Sequence, residues 1–275
     1  MFDMKISVII PSFNRVTLLQ RAIESVLSQS CSADEIIVVD DGSTDNTRQV
    51  IKTRYPKINY IYQSNKGVSV ARNTGITQAK GKWICLLDSD DSWQPDKLKK
   101  QIQALMDNPD YLLCHTNETW YRNEKILNQA TKHKKRGGFI FQYCLPLCAI
   151  SPSSVMIDKK LFNDVGLFDE TLPACEDYDM WLRICSKYPV LFIDEALTNK
   201  FGGHADQLSQ QYWGMDRFRI TALQKIIESG NLNETDRMAA INMLLEKISI
   251  FLKGSEKHGR NNYCDQFEEL SKQYA

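Results

Sequence analysis

Four short apolar runs alternate with helical patterns in the first third of the chain, and this alternation constrains the fold more than any other feature. The runs are Ile6–Ile10, Glu35–Val39, Asn59–Tyr62 and Trp83–Leu87. Continuous apolar runs of this length are typical of strands buried on both faces. Between them, apolar residues recur at helical spacing over about 16–28, 45–54 and 68–78. The pattern predicts an α/β fold with a parallel sheet and right-handed crossovers.

Polar residues follow three of the predicted strands at the points where those strands end. They are Ser12–Arg15 after the first strand, Asp40–Asp41 after the second and Asp88–Asp91 after the fourth. In open parallel sheets, ligands bind at the carboxyl ends of the strands. We therefore expect these side chains to share one edge of the sheet and to form a ligand site there.

The acidic run Asp88-Ser89-Asp90-Asp91 is the strongest candidate for metal chemistry. Alternate carboxylates just past a strand can point at one place, and hard oxygen ligands suit Mg²⁺ or Mn²⁺. Phosphate oxygens and water would complete the coordination of such an ion. The competing interpretation is an acidic turn in which Asp91 or Ser92 caps the next helix. The position after a buried strand favours the metal.

Five further residues at this edge are candidates for binding a nucleotide. Asp41 could accept hydrogen bonds from a base or a ribose, although a turn in which Ser43 or Thr44 caps the next helix explains the same segment. Phe13 could stack on a base, or it could be a packing residue. Arg15, Lys66 and Arg72 are candidate phosphate partners, but single basic residues are usually solvated surface charges.

Two candidates lie in the second half of the chain. The pair Glu176-Asp177 begins a predicted helix in an aromatic segment, where a carboxylate can act as a general base. First-turn acids that complement a helix dipole are the simpler interpretation from the residues alone. His204 follows two glycines, a context that suggests a loop closing over a ligand, although loop histidines are more often merely exposed.

The pattern predicts one sheet domain over 1–210. A basic stretch at 131–138 is expected to be a solvated loop. From 211 to 275 the pattern is helical, with two long apolar stripes that we expect to pack internally. This region is predicted to be a C-terminal helical appendage on the sheet domain.

Composition excludes several classes of protein. Lys+Arg and Asp+Glu both count 34, so no basic surplus indicates a nucleic-acid partner. The eight cysteines form no CxxC pair, which argues against a zinc site. The N-terminus, MFDMKISVII, is unlike a signal peptide, and no apolar run approaches the ~18 residues of a membrane span. A cytoplasmic protein is expected, and attachment to the inner face of the cell membrane stays open.

Five motifs, taken in order, resemble family 2 glycosyltransferases of the GT-A fold. They are VIIPSFNR, VVDDGSTDNT, NKGVSVARNTGI, WICLLDSDDSWQPDKL and CEDYDMWLR, which cover most of 6–183. The resemblance implies a Rossmann-like, mixed but mostly parallel sheet flanked by helices. It also implies a nucleotide-sugar donor, here a UDP-sugar, a divalent metal, and a saccharide or glycoconjugate acceptor. It makes 1–210 the catalytic domain, with a donor half at about 1–110 and an acceptor half at about 111–210. The 131–138 loop and the C-terminal helices are expected to shape the acceptor site. The helical part after Gln211 matches no general feature of the family.

The resemblance also implies roles for individual residues. Phe13 stands where relatives often have a Tyr that stacks on uracil. Asp41 matches the acid that contacts the base, with Asp40 supporting it. Asp90 matches the direct metal ligand, and Asp88 the acid of the ribose or the metal's surroundings. The full set of donor-binding candidates is Pro11, Phe13, Arg15, Asp40, Asp41, Lys66, Arg72, Asp88, Ser89, Asp90 and His204.

The implied reaction inverts the anomeric carbon. Asp177 matches the second acid of the family's ED pair and would take the proton from the acceptor hydroxyl. A nucleotidyltransferase is one alternative, but PSFNRVTLL lacks the Gly-rich loop expected of it. A sugar-nucleotide-binding module without catalysis is another, and intact Asp88, Asp90 and Asp177 argue against it. A dehydrogenase is disfavoured because no GxGxxG follows any strand.

Overall fold

One mixed β-sheet forms the centre of the molecule. The computed structural model describes residues 4–123, 125–203 and 212–275. Within this part of the chain the sheet has nine strands in the order β3-β2-β1-β4-β8-β6-β9-β5, with β7 paired to β6. The strands are β1 Ile6–Ser12, β2 Glu35–Asp40, β3 Asn59–Tyr62, β4 Trp83–Leu86, β5 Ser92–Trp93, β6 Leu113–Arg122, β7 Lys125–Leu127, β8 Val155–Asp158 and β9 Leu191–Gly202.

Helices cover the sheet and continue beyond it. They are α1 Val16–Leu27, α2 Thr47–Arg54, α3 Val68–Gln78, α4 Lys97–Asp107, α5 Phe141–Cys144, α6 Leu161–Val165, α7 Glu176–Cys185, α8 Asp216–Glu228, α9 Glu234–Lys257 and α10 Cys264–Tyr274. No helix within the described residues combines the length and the apolar character needed to cross a bilayer.

The first four strands of the sheet are parallel, as the strand–helix alternation predicts. β1 pairs with β2 on one side and β4 on the other, and β2 pairs with β3. Every residue of β1 is buried, which explains its continuous apolar run. The register places Ser12 beside Asp40, so the carboxyl ends of β1 and β2 coincide. The acids that follow these strands therefore lie at one edge of the sheet.

The second half of the sheet mixes directions. β8 runs antiparallel to both β4 and β6, whereas β9 runs parallel to β6. The β6–β9 register shifts on both sides of Asn117, which bends this part of the sheet. These pairings confirm the α/β fold, with a mixed sheet flanked by helices.

Two apolar cores lie against the sheet. One contains α1 and the β1 residues Val8 and Ile10. The other contains Ile9 and, from the C-terminal helices, buried residues such as Leu223 and Leu244. The apolar stripes of the C-terminal helices thus pack internally, as expected. The proposed domain boundary at 210/211 falls outside the described residues and stays a prediction.

The basic stretch at 131–138 is not simply solvated. Lys135 is 6% exposed, and its ammonium lies 3.1 Å from the Glu118 carboxylate. Gly138 exchanges two backbone hydrogen bonds with Val190, which fastens the segment to the start of β9. The expectation of a solvated loop is therefore wrong for Lys135, because a buried carboxylate on β6 draws its ammonium inward.

Two local capping expectations also differ from the structure. α2 begins at Thr47, and the Asp45 carboxylate, not Ser43 or Thr44, accepts hydrogen bonds from the Thr47 backbone and hydroxyl. α4 begins only at Lys97. Neither Asp91 nor Ser92 therefore caps α4, and the capping explanation of the acidic run does not hold.

Candidate active site

A cavity of about 910 Å³ opens at the carboxyl edge of the parallel strands. Its lining contains the following sequence-predicted residues: Pro11, Phe13, Arg15, Asp41, Lys66, Arg72, Asp88, Ser89, Asp90 and Asp177. Asp40 does not line it, and His204 lies outside the described residues. Ten of the predicted residues thus surround one space of the size that ligand pockets usually have.

Asp40 has a supporting position beneath the cavity. It is fully buried and accepts hydrogen bonds from the Ser43 backbone N–H at 2.8 Å and the Tyr60 hydroxyl at 2.5 Å. Burial and the neighbouring Asp40 charge both raise the pKa of Tyr60, so its hydroxyl stays a donor. Asp40 therefore holds the turn after β2 in place and does not reach a ligand.

Asp41 organises the loop that precedes α3. One carboxylate oxygen accepts from the Gln63 amide at 2.7 Å and from the Lys66 backbone N–H at 3.0 Å. The other accepts from the Gly67 backbone N–H at 2.8 Å. These contacts use three of roughly four acceptor positions of the carboxylate. Asp41 therefore shapes the cavity wall and keeps one position for a ligand donor.

The turn after β2 requires a glycine, because the loop that contains Asn65 lies very close to it. Gly42 has φ +89°, and a Cβ atom there would lie 2.7 Å from the Asn65 backbone nitrogen. Any side chain at this position would push apart the two loops that Asp41 joins. The glycine of the DDGS motif is thus a packing requirement of the cavity.

The acidic run divides into residues that face the cavity and one that does not. Asp88 and Asp90 line the cavity and are half-buried. Asp91 is 2% exposed, and its carboxylate accepts from the Ser153 hydroxyl at 2.6 Å and the Phe201 backbone N–H at 3.2 Å. Asp91 therefore ties the end of β4 to the end of β9.

Burial and mutual repulsion shape the protonation of these acids. Burial raises the pKa of Asp90, and the nearby Asp88 charge raises it further, against the opposing charge of Arg15. Burial would also raise the pKa of Asp88, but Arg72, which donates to it at 2.7 Å, brings that pKa below its usual value. Two carboxylates this close together at the end of a strand repel each other, and a bound cation would relieve that repulsion.

The donor set fits a divalent ion shared with a substrate. Arg15 contacts one oxygen of Asp90 at 3.1 Å, and Arg72 contacts one oxygen of Asp88. No group of three metal-ligating side chains occurs among the residues that the structure describes. Mg²⁺ commonly binds through one or two carboxylates, with phosphate oxygens and water completing its shell. Asp88 and Asp90 together match that incomplete protein site.

Arg72 joins the two halves of the cavity. It is 3% exposed and donates to Asp88 at 2.7 Å and to Glu176 at 2.5 Å. Burial raises the pKa of Glu176 to about 7, against the lowering effect of Arg72. The sequence suggested Arg72 as a phosphate partner, but its guanidinium is here committed to two carboxylates. It fixes the start of α7 against the end of β4.

Asp177 lies in the first turn of α7 and faces the cavity. Cys175, which precedes the helix, has a left-handed backbone with φ +61°, so the chain turns sharply into α7. One oxygen of Asp177 accepts from the Tyr178 backbone N–H at 2.7 Å, and the other accepts from the Cys148 thiol at 3.1 Å. Both contacts orient a carboxylate that stays partly open to the cavity.

Several cavity residues carry no motif that sequence reasoning could use. Cys148 is one of the eight cysteines that form no CxxC pair, and its thiol contacts Asp177. Lys200 lies near the end of β9 and donates to the Ser151 hydroxyl at 3.1 Å. Burial would lower the pKa of Lys200, but Glu118 and Asp91 raise it, so its ammonium is charged. From the C-terminal region, Tyr212, Met215 and Arg219 complete the wall.

The fold and the cavity together define a class of protein. A mixed sheet with paired acids past β4, an acid past β2 and a carboxylate on a facing helix is the arrangement of GT-A glycosyltransferases. The family model "Glycosyl transferase family 2" matches residues 7–166. The chain therefore belongs to glycosyl transferase family 2 and is a glycosyltransferase.

A characterised bacterial relative is the UDP-Glc:alpha-D-GlcNAc-diphosphoundecaprenol beta-1,3-glucosyltransferase WfgD of Escherichia coli. It is 33% identical over 217 residues, which are 73% of this chain and 83% of WfgD. Rickettsial relatives named as uncharacterized glycosyltransferases are matched over a wide range of their own length, from 31% to 82%.

Two solved structures share the fold. The crystal structure of Staphylococcus aureus TarS 1-349 in complex with UDP-GlcNAc matches with a TM-score of 0.70 and 22% identity, over 89% of this chain and 72% of that one. The mannosyltransferase PcManGT of Pyrobaculum calidifontis, in complex with GDP-Man and Mn²⁺, matches with a TM-score of 0.63 and 15% identity, over 98% and 84%. At these identities the likeness concerns the fold.

Proposed function

We propose that the chain transfers a sugar from a UDP-sugar to a hydroxyl of a saccharide or glycoconjugate acceptor, with inversion at the anomeric carbon, in the synthesis of a bacterial-type polysaccharide. One observation carries the proposal. Asp90 from the donor half and Asp177 from the acceptor half line the same cavity, so a sugar held between them would have its leaving group on one side and a base on the other.

The donor binds on the wall formed by β1, β2 and β4. Phe13 is 44% exposed at the cavity and has a free face for a base. Asp41, held by the loop before α3, offers an acceptor for an N–H of the same base. UDP-sugars are named for WfgD and TarS, whereas GDP-Man was bound to PcManGT. Uracil is our choice because the nearer relative, WfgD, uses it.

Asp88 and Asp90 would hold a divalent metal together with the donor diphosphate. Bound there, the ion supplies positive charge where negative charge develops on the departing nucleotide. Arg15, which contacts Asp90, lies where it can reach the same phosphates. The protein's own contribution is to keep two crowded carboxylates at the end of β4, anchored from below by Asp91.

Asp177 would take the proton from the acceptor hydroxyl. Its orientation follows from the Tyr178 N–H and the Cys148 thiol, which fix the carboxylate plane against rotation. The acceptor oxygen attacks the anomeric carbon from the face opposite the nucleotide, the bond to the diphosphate breaks, and the proton passes to Asp177. Positioned general bases of this kind typically contribute about 10²–10⁴-fold to rate.

The acceptor enters from the side of the C-terminal helices. Tyr212, Met215 and Arg219 line this side of the cavity, opposite the donor wall. WfgD is named for a lipid-linked diphosphate acceptor. A similar acceptor would bring this chain to the inner face of the cell membrane as a peripheral protein.

Thermal stabilisation by nucleotides tests the donor site. We expect UDP to raise the melting temperature in the presence of Mn²⁺ but not in its absence. A ligand at ~100 times its Kd stabilises by about 2.7 kcal/mol. Asp90→Ala should abolish the metal-dependent shift. Asp110→Ala, at an exposed aspartate outside the cavity, is the matched control and should keep it.

The other nucleotides decide between the remaining possibilities. A metal-dependent shift with GDP, dTDP or CDP instead of UDP would keep the reaction and change the donor. A shift with UDP but no release of UDP from any UDP-sugar would favour the sugar-nucleotide-binding module. No shift with any of the four nucleotides would contradict the proposal.

A further inference from the structure

A second cavity of about 370 Å³ adjoins the candidate active site. It lies between the start of α8 and the C-terminal half of α9. The two cavities share Met215 and Arg219 in their walls. A ligand in the second cavity is therefore next to the acceptor side of the first one.

Positive charge dominates the second cavity. Arg219 and Arg260 line it, and the imidazole of His258 adds a further nitrogen donor or acceptor. Asp216 is the acid in its lining, and it is already paired with Arg219 at 2.7 Å. Lys247 lies 3.4 Å from the same carboxylate. The cavity and its surroundings therefore carry more positive than negative charge, although the net charge of the whole chain is zero.

Two buried donors in this cavity have no partner among the residues that the structure describes. Ser255 is 3% exposed, lines the cavity, and its hydroxyl makes no hydrogen bond within the described chain. The Nε atom of Arg219 is also buried and makes no hydrogen bond within the described chain. Burial without a partner is unfavourable for such groups, so these two residues favour a ligand that supplies acceptor oxygens.

Aromatic and aliphatic side chains form the rest of the wall. Trp213 and Phe251 line the cavity with their ring centroids 5.6 Å apart, and Ile250 is 47% exposed at its edge. The Arg260 guanidinium lies 4.8 Å from the Trp213 ring centroid, so stacking holds it in place. The anion that fits this cavity therefore carries an organic group that can cover an apolar surface.

We propose that the second cavity binds the phosphate group of an anionic acceptor, a phosphate ester or diphosphate ester that carries the acceptor sugar. This inference rests on the proposed function and adds the substrate class. Guanidinium groups and hydroxyls are the donors that recognise phosphate oxygens. The donor's own diphosphate belongs with Asp88 and Asp90 on the opposite wall, so a second phosphate site here belongs to the acceptor.

A short contact connects the wall of the second cavity to the segment that precedes Asp177. The Met215 carbonyl oxygen lies 3.9 Å from the Cys175 sulfur, two residues before Asp177. Arg219 follows Met215 by one helical turn, about 5–6 Å along α8. Arg219 and Asp177 also line the first cavity together, so a sugar attached to a phosphate at Arg219 would enter the space that Asp177 faces.

Binding of octyl phosphate tests the inference directly. Calorimetric titration into the full chain, saturated with UDP and Mg²⁺, should show binding of octyl phosphate and not of octyl glucoside. Arg260→Gln should weaken binding about tenfold or more, as expected for loss of a charge-assisted contact. Lys253→Gln also removes one positive charge, at an exposed residue of α9 that does not line the cavity, and should change affinity less than about twofold.

Titration with inorganic phosphate distinguishes a site for a phosphate ester from a site for free phosphate. It should compete with octyl phosphate and bind more weakly, because it leaves the apolar wall uncovered. Tighter binding of inorganic phosphate would overturn the assignment to an acceptor. Equal binding of octyl phosphate and octyl glucoside, or equal effects of Arg260→Gln and Lys253→Gln, would also overturn it.

The affinity for UDP is measured in the same samples. If UDP binds and octyl phosphate does not, the acceptor inference fails and the proposed function stands. If UDP does not bind, the proposed function itself fails. With an active acceptor in hand, Arg260→Gln should raise the acceptor KM and leave kcat nearly unchanged, a split that a general loss of folding would not produce.

Discussion

The proposed donor wall and the proposed acceptor wall of the cavity are built in opposite ways. The donor wall consists of short motifs at the ends of β1, β2 and β4, which the parallel register brings to one edge. The acceptor wall combines Cys148, Asp177, Lys200 and Arg219, which come from four separate segments. The comparison teaches that local sequence can specify a wall built on neighbouring strand ends, whereas a wall built from distant segments depends on their packing.

Arg72 connects the two walls, since it binds Asp88 on the donor side and Glu176 on the acceptor side. If the walls have separate roles, substitutions on each should affect different measurements. Donor-wall changes should reduce binding of nucleotide and metal. Acceptor-wall changes should reduce turnover while nucleotide binding persists.

The largest difference between the effect on turnover and the effect on nucleotide binding is expected from Asp177→Asn. The amide keeps the size of the side chain but removes the base, so kcat should fall about 10²–10⁴-fold. The thermal shift with UDP and Mn²⁺ should stay within error of the unmodified chain. Steady-state kinetics beside the thermal assay makes the comparison, and near-normal turnover would remove Asp177 from the mechanism.

Arg72→Met should affect both walls at once. The buried Glu176 and the half-buried Asp88 lose their shared cation, and removing one partner of a buried pair typically costs about 3–5 kcal/mol of unfolding free energy. Chemical denaturation measures this loss. Arg54→Met, at an arginine whose side chain is 59% exposed in its contact with Glu24, should cost less than about 1 kcal/mol. Similar losses in the two variants would contradict the bridging role.

The double variant Arg72→Met/Glu176→Gln sharpens this test, because it should recover part of the lost stability. The second substitution neutralises one of the two carboxylates that the first leaves unpaired. Stability should therefore rise above that of Arg72→Met alone. If the double variant is less stable than the single one, Glu176 contributes something other than its pairing with Arg72.

Outside the cavity, Glu118 should make the stability of the fold sensitive to acid. Burial would raise the pKa of Glu118, but Lys135 and Lys200 lower it to about 2 from a usual 4.5. A depressed pKa stabilises the fold above pH 4.5, and that stability is lost as pH falls from 4.5 towards 2. The linked free energy is about 3 kcal/mol.

Glu118→Gln should therefore be less stable than the unmodified chain at neutral pH, and the difference should shrink as pH falls below 4.5. Denaturation curves between pH 7 and pH 3 follow the change. Glu195→Gln, at an exposed glutamate paired with Lys100, is the matched control and should show little pH-dependent difference. A constant difference at every pH would remove Glu118 as the cause.

The smallest effect is expected from Cys148→Ala. Loss of one thiol contact to Asp177 should lower kcat about 2- to 10-fold, in line with a net hydrogen bond of ~0.5–1.5 kcal/mol. Cys148→Ser restores a donor and should recover most of the rate. Cys264→Ala, at a cysteine outside the cavity, is the control. Equal rates for the alanine and serine variants would show that the contact does not orient Asp177.

Sequence reasoning predicted that the residues of the proposed donor wall share one edge of the sheet, because each motif there is local. A buried strand and an acid occur within about ten residues both in VVDDGS, which also has a glycine turn, and in WICLLDSDD, so strand order alone brings them together. The same reasoning separated Asp40 from Asp41 only through the resemblance, since neighbouring acids after a strand look alike. Burial of Asp40 beneath Tyr60 distinguishes them.

The acceptor wall could be predicted only where a motif marked it. Asp177 lay in the recognisable EDYD segment, but nothing in the chain around Cys148 or Lys200 marks a site. Arg72 looked like a phosphate partner, and its commitment to Asp88 and Glu176 depends on a contact across 104 residues of sequence. Contacts of that range follow from packing, which no short pattern records.

The sequence by itself determined the α/β class, the parallel half of the sheet, the internal packing of the C-terminal helices and the family. Periodic apolar residues and turn glycines act within a few residues, so they can be interpreted without knowledge of the rest of the chain. Only the tertiary structure decided which acids face the cavity, which cations neutralise them, and that Arg219 borders a second cavity. Charge and burial depend on everything nearby in space, and here the neighbours come from opposite ends of the chain.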